Sequence, residues 1–312
     1  MKNGALWIIV RGCDWRESVW QFPNWSSRVT AVRTGPVLLD RLDLLLLQLA
    51  KRRRGRYSND VAFYESFFAE YDLRKYIHDV RNAWRFGVIA RVMEEEFFPK
   101  AATILDVGCG LGTVRMFLCE KHSYIGCDVS EATLVRARKI HSSRNAYFDL
   151  GSLPSLPIEA GAVDAALCLE VLEHIPDDDS AVAELARVVR PGGILIASVP
   201  NSYYWPEYES LIGHIRHYDW ASLTALVEKH GFLITRRIPQ HRGFWRGYHY
   251  FYLPMRVLEA LVTTVWREFS VYETRLYRAV AQRILARLQA SESIDEAPST
   301  FIVCRRQPKV GS

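Results

Sequence analysis

Three glycines at alternate positions, Gly108, Gly110 and Gly112, end the apolar run TILDVGCGLGT at residues 103–113. The segment TILDV has the composition of a buried strand. A loop without side chains directly after it lets a ligand lie against bare backbone. In open α/β sheets ligands bind outside the carboxyl ends of the strands, and the helix that follows presents unpaired N–H groups to them. The stretch therefore predicts a nucleotide-type cradle, with a helix running from Leu111 to about Lys121.

The rest of the chain alternates in the way such a sheet requires. Tyr76, Val80, Trp84, Val88, Ile89 and Val92 recur at helical spacing, predicting a helix that ends by Pro99. SYIGCD reads as a strand, and Ser130 caps a helix ending near His141, with Glu131 in its first turn. A short strand NAYFD, a loop with Pro154 and Pro157, and a strand VDAALCL follow. A helix is expected from Asp178 to Val189, stopped by RPGG, then the strand ILIASVP, the helix DWASLTALVEKHG and the strand FLITRRI. Strand, helix, strand, repeated, predicts a parallel sheet covered on both faces. After Ile238 the rhythm breaks into an aromatic- and arginine-rich stretch, FWRGYHYFYLPM, and a helical run to about Ala290, before a last strand STFIVCRR.

With 312 residues and 49% hydrophobic composition, the chain can bury a full core. Its net charge of +5 contains one basic cluster, KRRRGR at Lys51 to Arg56, a pattern more often solvated surface than a nucleic-acid or lipid contact. Six cysteines with no CxxC pair and no metal-ligand spacing fit a reduced, cytoplasmic protein. Arg11 interrupts ALWIIV too early for a secretory segment. VLLDRLDLLLLQLA is shorter than the ~20 residues of a membrane span and contains Asp40, Arg41 and Asp43.

Two cofactor classes compete for the cradle. A dinucleotide fold requires a third glycine at position 113, where this chain has Thr113. Asp128, ending the second strand, can accept both hydroxyls of an adenosine ribose, and Asp149, ending the third, can accept an adenine amino group. Either aspartate alone is more often a turn or cap residue. Suitable residues at three successive strand ends favour the cofactor reading.

These motifs resemble the class I S-adenosylmethionine-dependent methyltransferases. ILDVGCGLGT looks like the first motif of that family, YIGCDVS the second, FDLGSLP the third, LEVLEHIPD the fourth, and RVVRPGGILIASVPN leads into the fifth strand. The resemblance implies an α/β, Rossmann-like, doubly wound sheet of seven mostly parallel strands. It divides the chain into an N-terminal, partly helical extension (1–80), a methyltransferase core (81–239), an aromatic-rich helical insertion or lid (240–296) and the last core strand (297–308). It also implies S-adenosyl-L-methionine as cofactor. Gly108 and Gly110 would lie near its methionine moiety, with Gly112 completing the loop, and Asp128 would hold the ribose. Val129, Asp149 and Leu150 would border the adenine, Asp106 would support the loop, Leu169 and Glu170 would lie near the cofactor, and Arg85 is a further candidate contact.

EVLEH, Glu170 to His174, is nearest to the branch containing the ubiquinone-biosynthesis O-methyltransferases, where the corresponding Glu, Glu and His are linked to a divalent metal. No further ligand set is visible in the sequence, so Glu173 and His174 are read as loop-orienting residues and no metal is assigned. GHIRHYDWASL departs from that branch; His214, Arg216, His217 and Tyr218 either face the acceptor or anchor the following helix. The implied reaction is in-line displacement of a sulfonium methyl, most simply onto oxygen, with His174, His214 or His217 as the base. A small-molecule or lipid-like acceptor is expected, since NSYYWPEY and the later aromatics can form an apolar lid. The helical stretch 257–288 leaves contact with a membrane surface open. Nucleic acid is disfavoured because the (N/D)PP(Y/F) signature is absent. The competing readings are a non-catalytic cofactor-binding scaffold and an NAD-dependent oxidoreductase.

Overall fold

A computed structural model of the chain describes residues 61–69, 73–78, 80–97, 99–200, 213–240, 253–266 and 299–308, with short pieces between 271 and 283. Readings that fall on 1–60, on NSYYWPEY and on most of the aromatic stretch after Ile238 lie outside the described residues.

Seven strands form one sheet: β1 (Thr103–Val107), β2 (Ser123–Asp128), β3 (Ala146–Leu150), β4 (Val163–Leu169), β5 (Val189–Pro200), β6 (Phe232–Gln240) and β7 (Ser299–Arg306). Their spatial order is β3-β2-β1-β4-β5-β7-β6, and β7 runs antiparallel to both of its neighbours while β1 to β5 pair in parallel. The central strands are buried on both faces, which is why they read as continuous apolar runs. Two cores result. Trp84, Ile89, Met93, Ile104, Tyr124, Leu134 and Leu167 pack on one face, and Leu105, Val107, Leu172, Leu185, Leu195 and Val227 on the other.

The described helices are α1 (Val61–Ala69), α2 (Leu73–His78), α3 (Val80–Phe97), α4 (Glu131–Ile140), α5 (Asp178–Val188), α6 (Trp220–Lys229) and α7 (Leu253–Val265). Local chemistry sets their starts. Ser130 accepts the Thr133 N–H at the head of α4, Asp177 accepts that of Ser180 before α5, and Asp219 accepts that of Ser222 before α6. Trp84, Val88, Ile89 and Val92 of α3 are all buried, as their spacing predicts.

The helix expected from Leu111 to Lys121 is not formed. A single 3₁₀ turn, Thr113–Met116, follows the glycines, entered through left-handed Gly112 without a side-chain cap. Arg115 supplies the reason. Its fully buried guanidinium donates to the carbonyls of Leu118 and Cys119 and pairs with Glu120, so the segment turns back on a side chain instead of propagating. β5 also begins earlier than expected, at Val189, so that RPGG forms its irregular first residues and not a loop. None of the described helices is long and apolar enough to cross a membrane.

Candidate active site

The parallel strands β3, β2, β1 and β4 lie side by side and bring their carboxyl ends to one edge. Gly108, Gly110, Asp128, Val129, Asp149, Leu150, Leu169 and Glu170 all stand at that edge. The glycine loop is tied to β2 by two backbone bonds, from Gly108 and Cys109 N–H to the Cys127 carbonyl, at 2.8 and 3.1 Å. A third tie runs to a side chain: Gly110 N–H donates to Asp128 Oδ2 at 2.9 Å, and Ser130 N–H to Oδ1 at 3.0 Å. Burial pushes the Asp128 carboxyl upward, opposed by these backbone N–H groups. Asp149 and Leu150 are exposed at the end of β3, and Val129 and Leu169 are half-buried.

Gly108 and Gly110 have φ of 70° and 53°, a region side chains rarely adopt. A Cβ on Gly108 would stand 2.7 Å from Val171 Cγ2, and one on Gly110 would stand 2.8 Å from Phe68 Cζ. Phe68 belongs to α1, which is held by Arg136 of α4 donating to the Phe68 carbonyl. Sequence reasoning missed this residue, because the cluster of aromatics in α1 gives no indication of which ring reaches the loop.

Two expected cofactor residues face inward. Gly112 is turned toward Phe148 and His141, and its role is to let those rings close on the loop. Asp106 is 2% exposed and accepts the Tyr124 hydroxyl at 2.5 Å, so it braces β1 against β2. Burial is the main reason its carboxyl rises to about 7, with Asp128 adding to the effect and the Tyr124 hydrogen bond opposing it.

At the end of β4, Glu170 has a left-handed φ of 55° despite its side chain. Its N–H donates to the carbonyl and hydroxyl of Ser198, its Oε1 accepts the Ser198 hydroxyl at 2.7 Å, and Arg85 Nη2 pairs with the same oxygen at 3.1 Å. Such a conformation costs on the order of 1–3 kcal/mol and persists where the surroundings fix it. Ser198 is the fully buried hub of this arrangement, and its position inside an apolar strand gave no sign of that role.

The segment at 213–219 docks on the 3₁₀ turn Leu172–His174. Ile215 N–H donates to the Glu173 carbonyl, Arg216 pairs with Asp178 and the Pro176 carbonyl, and the Tyr218 hydroxyl lies 2.8 Å from Asp178. Arg216 and Tyr218 are thus anchors. His214 and His217 differ: their rings gather with His174, with the His174–His214 centroids 4.9 Å apart and His214 Nδ1 3.3 Å from His217 Nε2. His214 Nε2 is 3.7 Å from Oε1 of the fully buried Glu173. Burial, reinforced by His214, lowers the His174 imidazole to about 4, so it is neutral at physiological pH.

A left-handed glycine loop with acidic residues at adjacent strand ends is the arrangement in which open α/β sheets receive nucleotide-type ligands. Residues 105–197 match the family described as a methyltransferase domain, and in this segment the chain is similar to S-adenosylmethionine-dependent methyltransferases of the class I type. The chain is 33% identical over 146 residues to a probable S-adenosylmethionine-dependent methyltransferase of Mycolicibacterium smegmatis, covering 45% of this chain and 55% of the relative. It is 30% identical over 128 residues to a ubiquinone biosynthesis O-methyltransferase of Coxiella burnetii, covering 39% and 54%. The chain thus spans about half the length of these curated relatives. A solved phosphoethanolamine N-methyltransferase 2 of Haemonchus contortus, in complex with S-adenosyl-L-methionine, shares the fold with a TM-score of 0.51 at 16% identity, over 76% of this chain and 60% of that one.

Proposed function

We propose that the protein transfers a methyl group from S-adenosylmethionine to a small-molecule or lipid-like acceptor, at oxygen. One observation carries this reading: Asp128, Asp149 and Glu170 stand at the carboxyl ends of three strands of one sheet, around a loop whose conformation only glycine adopts without strain. The residues fit the group. Gly108 is exposed where bare backbone is needed, and each Asp128 oxygen that receives one N–H has a second lone pair for a ribose hydroxyl.

When bound, the cofactor supplies an electrophilic sulfonium methyl. In this reading Asp128 accepts from the ribose, Val129, Asp149 and Leu150 border the base, and Glu170 with Arg85 meets the charged amino-acid end. The loop carrying Gly108 and Gly110 fixes the sulfonium side, so the chain contributes mainly orientation and exclusion of water. One imidazole of the group His174, His214 and His217 receives the proton of an acceptor hydroxyl. Residues 81–239 with β7 form the catalytic unit in this reading. In α7 the exposed Leu258, Leu261 and Val265 suit a lipid-like acceptor or a membrane surface.

A second reading, a scaffold that keeps the fold without turnover, is favoured by the Phe68 ring lying against Gly110. Incubation with methyl-labelled S-adenosylmethionine and panels of phenols and of lipid extract separates the two. Label in an acceptor that is lost in Asp128→Ala supports transfer, and cofactor binding with no label in any acceptor supports the scaffold.

A further inference from the structure

The EVLEH resemblance groups Glu170, Glu173 and His174, but the fold separates them. Glu170 is turned to Arg85 and Ser198, on the β5 side of the strand end. The place beside Glu173 and His174 is taken by His214, from the segment that docks after β5. One ligand atom from each of Glu173, His174 and His214 lies within 4.8 Å of the other two. We infer that Glu173, His174 and His214 form a binding site for one divalent transition-metal ion.

Two imidazoles and one carboxylate are the donor set of zinc, iron(II) and cobalt(II) sites. Magnesium prefers an all-oxygen shell, so a set with two imidazoles selects against it. Metal-binding imidazoles generally donate their other ring N–H to a carbonyl, carboxylate or water, as His174 does here. The His174 Nδ1–H donates to the Gly213 carbonyl at 3.1 Å, fixing tautomer and ring plane, and His217 Nε2 lies 3.3 Å from His214 Nδ1. Glu173 is fully buried, where a carboxylate gains most from a cation. The ligands come from two segments that dock through the Ile215 N–H and the Glu173 carbonyl, so the docking that orders 213–219 also assembles the set. With the ion in place the three imidazoles are not equivalent: His174 and His214 are ligands, and His217 is a positioning residue that acts through His214.

Metal binding itself does not depend on methyl transfer; only its use in polarising an acceptor oxygen rests on that reading. The test uses the untagged full chain, stripped with chelator and without cofactor. Zinc is titrated against a chromophoric chelator for wild type, Glu173→Gln and His214→Ala, and cobalt(II) is added to wild type in parallel. The inference predicts one equivalent of tightly bound zinc, affinity reduced at least 100-fold in both variants, and visible cobalt bands with nitrogen and oxygen ligands. No stoichiometric zinc in wild type, or affinity unchanged by His214→Ala, overturns it. The cobalt spectrum of wild type keeps the test decisive if a variant fails to fold, since absence of low-symmetry bands also overturns it. S-adenosylmethionine binding that survives such a failure leaves the methyl-transfer reading standing.

Discussion

The Asp128 carboxylate accepts the backbone N–H of Gly110 at 2.9 Å. The residue proposed to hold the ribose therefore also sets the conformation of the loop proposed to receive the methionine end. Gly110 has φ of 53° and lies under the Phe68 ring, so the loop is fixed from below by a charge and from above by an aromatic side chain.

Gly110→Ala puts a Cβ into that restricted space. It is expected to destabilise the fold by about 1–3 kcal/mol and to weaken S-adenosylmethionine binding at least tenfold. Thermal unfolding and calorimetry measure the two effects. Phe68→Ala in the same background should recover part of the stability, because it removes the ring that the new methyl meets.

Glu170→Gly separates strain from chemistry. Glycine adopts φ of 55° freely, which regains roughly 1 kcal/mol, while the bonds to Ser198 and Arg85 are lost at a cost of about the same size. The melting temperature should therefore change little while cofactor affinity falls tenfold or more. A variant that binds the cofactor as well as wild type does would remove Glu170 from the site.

His141 makes loop stability depend on pH. Its Nε2–H donates to the Leu111 carbonyl, its ring stacks on Phe148, and burial lowers its pKa from 6.5 to about 4. In the window between these values the unfolded chain binds a proton that the folded chain does not, so stability falls as pH drops from 6.5 toward 4. The contribution lost is about 3 kcal/mol. Denaturant unfolding across that range should show the slope in wild type reduced by this amount in His141→Gln.

Asp106 acts in the opposite sense. Its pKa is raised from 3.8 to about 7, chiefly by burial. Its contribution is therefore complete below 3.8 and is lost as pH rises through 7, on the order of 4 kcal/mol in all. Asp106→Asn should remove this decline, so that the stability of the variant relative to wild type rises between pH 4 and pH 7. A constant difference across the range would show that Asp106 is ionised throughout.

Local signals made much of this architecture legible. Continuous apolar runs marked β1 and β4, and Ser130 stood three residues before the N–H that it caps. Helical spacing in α3 named the residues that are buried. The helix expected after the glycines failed because the buried Arg115 guanidinium takes up the Leu118 and Cys119 carbonyls and Glu120 just beyond the turn, which periodicity does not encode. The candidate site was legible where its residues lie at strand ends, as Asp128 and Asp149 do. It was not legible where distant segments meet. Phe68 reaches Gly110 from a separate helix, Ser198 and Arg85 converge on Glu170 from two other elements, and His214 joins Glu173 only through docking of the segment after β5.

The central claim is that the glycine loop and Asp128 form a cradle for S-adenosylmethionine. Its most direct test is calorimetric titration of S-adenosylmethionine and S-adenosylhomocysteine into wild type and Asp128→Ala. The account predicts one site in the wild type for both ligands, and at least tenfold weaker binding in a variant that remains folded. No binding to folded wild type, or equal affinity in the variant, would contradict it.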